Sequence, residues 1–132
     1  MNLKRWVSLT PSEVARQVHE AGLDPAHREH WSGISALVTP SVLWSLYAFL
    51  RSPDDYWETI CTAIGVGGDT DTMASIAGAI SGARLGMAAL PSDLLDRLND
   101  RGEWGAAELI ELATACAGIV EDPDSQYPGA NS

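Results

Sequence analysis

The chain has 132 residues, of which eighteen are acidic and eight are basic, and a formal net charge of −10. This length suits one domain, and 45% hydrophobic with 20% charged residues is typical of a globular protein rather than a disordered or membrane-spanning one. The acidic excess repels phosphate backbones and anionic lipid, so we expect neither nucleic acid nor a membrane as a partner. A divalent cation is compatible with this charge.

The cysteines and the apolar segments indicate a cytoplasmic protein. Cys61 and Cys116 belong to no C-x-x-C or Cys/His framework, which argues against a disulfide scaffold and a structural zinc site. No apolar segment follows the basic pair at 4–5, and the longest apolar run, 73–90, is interrupted by Arg84 and three glycines. We therefore expect no secretory signal and no transmembrane helix.

The first helix signal is the segment TPSE at 10–13. A threonine cap, a proline at the first helical position and a glutamate three residues after the cap form a capping box, and the helix should end before Gly22. Residues 23–38 contain a proline, a glycine and polar interruptions, so they are interpreted as a connection.

Two more cap-and-proline signals follow. Thr39 and Pro40 predict a helix that ends near Arg51, and SPDD at 52–55 predicts another that the glycine-rich segment 65–68 terminates. The acidic residues at the second start suit the positive end of the helix dipole.

The rest of the chain also favours helices. A loop at 67–72 precedes an apolar helix to about Met87, a short helix is predicted from Pro91 through Leu98, and an amphipathic helix is predicted over 103–120. Since no long segment alternates with a period of two, the predicted fold class is all-α, a multi-helix orthogonal bundle with about six helices.

Small residues recur every four positions in the helix after the loop. Ala74, Gly78, Gly82 and Gly86 form this stripe, and each mid-helix glycine costs about 1 kcal/mol relative to alanine unless another backbone comes close. We therefore predict a central helix packed on several sides, with its N-terminus deep in the fold.

Asp69, Asp71 and Thr72 lie at the start of that helix, after two glycines. One interpretation is helix capping, in which these side chains accept from free N–H groups. The other is a hard-cation site, because two carboxylates and a hydroxyl are oxygen donors of the kind that Mg²⁺ prefers. The loop is not an EF-hand, since Ile80 stands where a calcium loop needs glutamate.

The string GGDTDT at 67–72, followed by the glycine-spaced helix, resembles the signature of the ADP-ribosylglycohydrolase family, which includes dinitrogenase-reductase-activating glycohydrolases and J1 crystallins. The resemblance covers roughly residues 31–115 and implies the C-terminal half of that family's domain. The predicted organisation is an N-terminal helix and connection at 1–30, the helical domain at 31–120 and a flexible tail at 121–132.

The resemblance implies an all-α fold that holds two Mg²⁺ ions in a cleft and hydrolyses the N- or O-glycosidic bond between ADP-ribose and a protein side chain or small molecule. The metal ligands that it implies are Asp69, Asp71 and Thr72. The substrate-binding residues that it implies are Gly33, Ile34, Ser35 and Gly68. The alternative interpretation of 32–35 is an ordinary loop before a helix.

The sequence also departs from the family. Members are about twice as long, and the acidic motifs of their N-terminal half, which supply the remaining ligands and the catalytic acid, have no counterpart here. Two Mg²⁺ ions carry +4, whereas Asp69 and Asp71 provide −2 at the positive end of a helix. We therefore expect either that the chain is a truncated product or that a second chain or a homo-oligomer completes the site. The alternative is a non-catalytic module, crystallin-like or a pseudoenzyme.

Four tryptophans have two possible roles. Their rings could stack on adenine, but large rings in amphipathic helices usually belong to the core or to a subunit contact. The four residues are Trp31, Trp44, Trp57 and Trp104.

Overall fold

The structure is a computed structural model that describes residues 3–21 and 33–121. The chain divides into two compact units, Met1–Leu90 and Pro91–Ser132. The described helices of the first unit are α1 (Leu3–Trp6), α2 (Pro11–Glu20), α3 (Val38–Arg51), α4 (Tyr56–Gly65) and α5 (Thr70–Leu85), followed by a 3-10 turn (Met87–Ala89). The second unit contains α6 (Ser92–Leu95), strands β1 (Asn99–Asp100) and β2 (Trp104–Gly105), and α7 (Ala106–Glu121).

These elements confirm the all-α fold class. None of the described helices is both long and apolar enough to cross a membrane. The first unit is built around α5, which packs against α3 and α4. Its core residues include Trp44, Tyr47, Ala63, Met73 and Ala77.

The start of α2 follows the local sequence signal. The Glu13 carboxylate accepts from the Thr10 backbone N–H at 2.8 Å and from the Thr10 hydroxyl at 2.6 Å. These two hydrogen bonds lower the pKa of Glu13. The helix ends at Glu20, as the position of Gly22 predicts.

The start of α3 precedes its predicted position. The helix begins at Val38 with Leu37 at the N-cap, so the predicted cap at Thr39 is wrong by two residues. Pro40 falls within the first turn, where the missing N–H removes no intrahelical hydrogen bond.

The start of α4 follows its predicted position by three residues. Ser52 is instead the C-cap of α3, and its carbonyl accepts from the Asp55 N–H and from the Thr59 hydroxyl. Asp55 becomes the cap of α4, because its carboxylate accepts from the Glu58 N–H at 2.9 Å.

The glycines of α5 differ in their surroundings. A Cβ at Gly78 would lie 3.1 Å from Ile60 Cδ1 and 3.2 Å from the Tyr56 hydroxyl, so this glycine does permit a close approach. A Cβ at Gly82 would lie only within ordinary contact distance of Tyr56, and Gly86 is the C-cap, at a φ of +75°. Among the three glycines of the stripe, only Gly78 therefore permits the predicted close approach.

One face of α5 is exposed in this chain. Ser75, Ala79 and Ala83 lie on this face, and Asp71 and Thr72 continue it to the start of the helix. The prediction that α5 is a central helix packed on several sides is confirmed by its contacts with α3 and α4, whereas the prediction that its N-terminus is deep in the fold is wrong. Small side chains carry little apolar area, so exposing them costs little.

The second unit differs from its predicted helices at two boundaries. The short helix ends at Leu95, and α7 begins at Ala106 rather than at residue 103. The intervening residues form the β1–β2 hairpin, whose turn contains Arg101 and Gly102 at positive φ. Asn99 closes the turn by accepting from the Gly102 N–H through its side-chain oxygen.

The predicted domain boundaries at 30/31 and 120/121 stay predictions. The compact units divide after Leu90, which is neither of these positions. The first predicted boundary lies outside the described residues, and so does the predicted tail from residue 122 onward.

Candidate metal and ligand site

The α4–α5 loop is joined by backbone hydrogen bonds to the segment that precedes α3. The Ile34 N–H donates to the Gly67 carbonyl at 3.1 Å, and the Asp69 N–H donates to the Ile34 carbonyl at 3.0 Å. These two bonds form a parallel bridge between Ile34 and Gly68. Two segments that are more than thirty residues apart in the sequence are therefore held side by side.

Glycine is required on both sides of this bridge. A Cβ at Gly33 would lie 2.3 Å from the Gly67 carbonyl carbon, and a Cβ at Gly68 would lie 2.0 Å from the Ile34 carbonyl oxygen. The φ angles of +127° at Gly33 and +88° at Gly68 also disfavour any other residue. Both glycines therefore permit close contact between two backbones.

The segment that follows Gly33 is anchored to α3. Ile34 is fully buried, and the Ser41 hydroxyl donates to the Ser35 carbonyl at 3.1 Å. The Ser35 hydroxyl is also buried, and it has no hydrogen-bond partner among the described residues. A buried hydroxyl without a partner costs free energy, so this segment is held in place at some cost to stability.

The two aspartates at the start of α5 lie next to each other. Asp69 occupies the N-cap position, but its side chain makes no capping hydrogen bond. The adjacent Asp69 side chain lowers the pKa of Asp71, and the backbone N–H groups at the start of the helix lower it further. The Asp71 carboxylate is therefore ionised at neutral pH and carries the charge that a cation requires.

The site is open to solvent. Asp69 is half-buried, whereas Asp71 and Thr72 are exposed. Across the described ranges 3–21 and 33–121, no three His, Cys, Asp or Glu side chains are grouped so that they could hold a metal ion. This chain thus offers two adjacent carboxylates and a nearby hydroxyl, which are hard oxygen donors but fill only part of the six positions around Mg²⁺.

The structure thus places Gly33, Ile34 and Gly68 together at the bridge, with Asp69 as the next residue along the loop. The predicted substrate-binding residues did not include Gly67, although the sequence analysis noted the two glycines before Asp69. The Gly67 carbonyl accepts one of the two bridging bonds, and this residue has a φ of +75°.

The described tryptophans differ in exposure. Trp44 belongs to the core, where its indole N–H donates to the Ala63 carbonyl at 3.1 Å. Trp57 is 51% exposed and Trp104 is 44% exposed, so neither belongs to the core of this chain, and their roles in stacking or in a subunit contact stay predictions. Trp31 lies outside the described residues.

These features define an all-α domain in which an acidic loop begins a glycine-containing helix. The family model described as ADP-ribosylglycohydrolase matches residues 2–126. The chain therefore belongs to the ADP-ribosylglycohydrolase family.

Two curated relatives match parts of the chain. An uncharacterized protein of Archaeoglobus fulgidus is 35% identical over 101 residues, which cover 74% of this chain and 31% of that protein. A mouse (Mus musculus) protein named ADP-ribosylhydrolase ARH3 is 40% identical over 70 residues, which cover 46% of this chain and 18% of that protein. The chain thus spans less than a third of the length of either relative. No solved structure matches.

Proposed function

We propose that this chain contributes the metal-binding and ligand-binding loops of a Mg²⁺-dependent ADP-ribosylglycohydrolase, and that a second polypeptide completes the site. The observation that carries the proposal is the Ile34–Gly68 bridge. It holds residues 33–35 beside the loop that bears Asp69 and Asp71, so that one ligand could contact both segments.

The residues of this chain have distinct roles in the proposal. Asp69 and Asp71 would hold Mg²⁺ through their adjacent carboxylates, and Thr72 would add a hydroxyl oxygen. The segment of Gly33, Ile34 and Ser35 would lie beside the ADP-ribose moiety, because the bridge holds it next to the acidic loop. When bound, Mg²⁺ would orient the ribose hydroxyls and the diphosphate and polarise the reacting centre.

The local charge explains why a partner is required. Two carboxylates offset half of the charge of two Mg²⁺ ions, and the N-terminus of α5 adds the positive end of a helix dipole. The described residues provide no third carboxylate at this position. The partner must therefore contribute acidic ligands and the acid or base that acts at the glycosidic bond.

A reconstitution assay tests this proposal. The chain is mixed with a polypeptide that carries the acidic motifs of the family's N-terminal half, and release of ADP-ribose from an N-linked and an O-linked ADP-ribosyl peptide is measured in Mg²⁺. We expect hydrolysis in the mixture and none with either chain alone, because neither has the full set of ligands.

Variants of the chain test whether the loop that bears Asp69 and Asp71 is required for hydrolysis. The Asp69→Asn/Asp71→Asn double variant should abolish hydrolysis in the mixture, whereas Glu20→Gln, an exposed change at the end of α2, should not. Asn keeps a side-chain oxygen that accepts from the Thr72 N–H, so the helix start is preserved. Full activity of the double variant would refute the assignment of these ligands.

The second candidate is a non-catalytic interaction module, and exposed apolar side chains favour it. Val38 is 79% exposed and Leu37 is 47% exposed, next to the candidate site. In this case Mg²⁺ should leave the melting temperature unchanged. In the case of a metal site with Kd near 1 mM, 10 mM Mg²⁺ should stabilise the fold by about 1.4 kcal/mol.

A further inference from the structure

A groove in the second unit has a composition that differs from the candidate site. It has a volume of about 450 Å³ and is lined by Glu103, Trp104, Glu108, Glu111, Leu112 and Ala115. All of its lining residues are exposed, so it is an open surface groove rather than an enclosed pocket. The groove therefore combines an indole and aliphatic side chains with three carboxylates.

We propose that this groove binds a basic peptide segment of a partner protein. In this arrangement the aliphatic part of an Arg or Lys side chain packs on Trp104 and Leu112, and its cationic head lies between Glu103 and Glu111. A cation over an indole face is attracted by the ring quadrupole, and the neighbouring carboxylates add to the attraction.

The three glutamates are not neutralised by this chain. The ion pair between Arg84 and Asp54 is the one salt bridge found in residues 3–21 and 33–121, so no Lys or Arg side chain described there pairs with the groove. Helix α7 itself contains no basic residue. The charge of the groove is thus complementary to a positively charged partner.

Glu108 has a structural role that the other two glutamates lack. Its carboxylate accepts from the Gly105 N–H at 2.8 Å at the start of α7, and backbone hydrogen bonds lower its pKa. Glu108 is therefore held in place, as a fixed negative charge at one side of the groove. Glu103 and Glu111 make no side-chain hydrogen bond within the described residues, so they are available to a ligand.

Two other occupants fit the groove less well. A metal ion would need convergent ligands, and the described residues contain no group of three acids, His or Cys that could hold one. A second copy of this chain would bring another net charge of −10, and its α7 would bring like charges. A basic segment with aliphatic side chains would match both the apolar and the acidic residues that line the groove.

The test uses the full chain labelled with ¹⁵N and the peptide acetyl-Leu-Arg-Leu-Arg-amide. Binding is followed through the indole N–H signal of Trp104, which the Trp104→Leu variant assigns. We expect a saturable shift of this signal. The control peptide carries citrulline in place of arginine, which keeps the shape and removes the charge, and it should bind at least about tenfold more weakly.

Matched variants distinguish the effect of the groove on binding from the effect of the net charge of the chain. Glu103→Gln/Glu111→Gln should weaken binding about tenfold, which corresponds to about 1.4 kcal/mol. Asp96→Asn/Glu20→Gln removes the same charge at two exposed positions outside the groove and should leave the affinity unchanged. Far-ultraviolet circular dichroism checks that all variants keep their helices.

Three results would overturn the proposal. Equal weakening by the two double variants would show general attraction to an acidic surface, and equal binding of the citrulline peptide would show that charge is not recognised. An indole shift that appears on raising the chain concentration, without peptide, would show that a second copy is the occupant. None of these outcomes depends on Mg²⁺ or on ADP-ribose, so the proposed function is tested separately.

Discussion

Replacing Gly68 with alanine should lower the free energy of unfolding of the first unit by more than the strain of a positive φ alone. The φ of +88° is unfavourable for alanine by about 1–2 kcal/mol. The added Cβ would also lie 2.0 Å from the Ile34 carbonyl oxygen, so the two segments must separate. Loss of their two hydrogen bonds adds about 0.5–1.5 kcal/mol each. The expected total is about 2–5 kcal/mol.

Two glycines of the same unit serve as matched controls. Gly86 has a φ of +75° and a ψ of −178°, a backbone conformation that is essentially restricted to glycine, and it has open space around it, so Gly86→Ala should cost backbone strain alone, about 1–3 kcal/mol. Gly65 has open space and no positive φ, so Gly65→Ala should be neutral or slightly stabilising.

Urea unfolding followed by circular dichroism measures all three free energies of unfolding without Mg²⁺. A loss for Gly68→Ala that exceeds the loss for Gly86→Ala reports the contact between the loop and residues 33–35. If Gly68→Ala costs no more than the roughly 1–2 kcal/mol of a positive φ, the bridge contributes nothing and the argument that it organises the site is refuted.

Three further predictions concern the rest of the first unit. Trp44→Phe should cost about 1–3 kcal/mol in urea unfolding, because it leaves the Ala63 carbonyl at the end of α4 without its buried donor. Gly82→Ala should raise stability by about 0.5–1 kcal/mol, because only Tyr56 lies near and alanine favours helix; a loss in the same assay would reveal a tighter contact. The lowered pKa of Glu13 stabilises the fold above the ordinary value of 4.5, and this contribution is lost as pH falls through the folded-state pKa. Glu13→Gln should therefore flatten the fall in stability between pH 5 and pH 3, and an unchanged slope would contradict the capping role.

Local signals predicted the helices well where one segment determines its own structure. The capping box at Thr10 and Glu13 is such a case, because both partners lie within four residues. The starts of α3 and α4 moved by two or three residues, since several candidate caps compete within each segment. Which candidate becomes the cap depends on the hydrogen bonds formed in the folded chain, such as the bond from the Glu58 N–H to Asp55.

The site itself was only partly predictable. The acidic loop could be recognised by its residues, but the bridge joins Ile34 to Gly68, and hydrogen bonding between distant segments leaves no local pattern. The predicted depth of the α5 N-terminus was wrong for a different reason. Small residues along a helix do not require that other elements surround it, and Ala79 and Ala83 are exposed here at little cost.

Calorimetric titration of the isolated chain with Mg²⁺ tests the central claim most directly. The account predicts one weak site, with Kd near or above the millimolar range, that disappears in Asp69→Asn/Asp71→Asn and persists in Glu20→Gln. Tight binding of two ions by the isolated chain would show that the site is complete without a partner. Binding that survives the double variant would show that these aspartates are not the ligands.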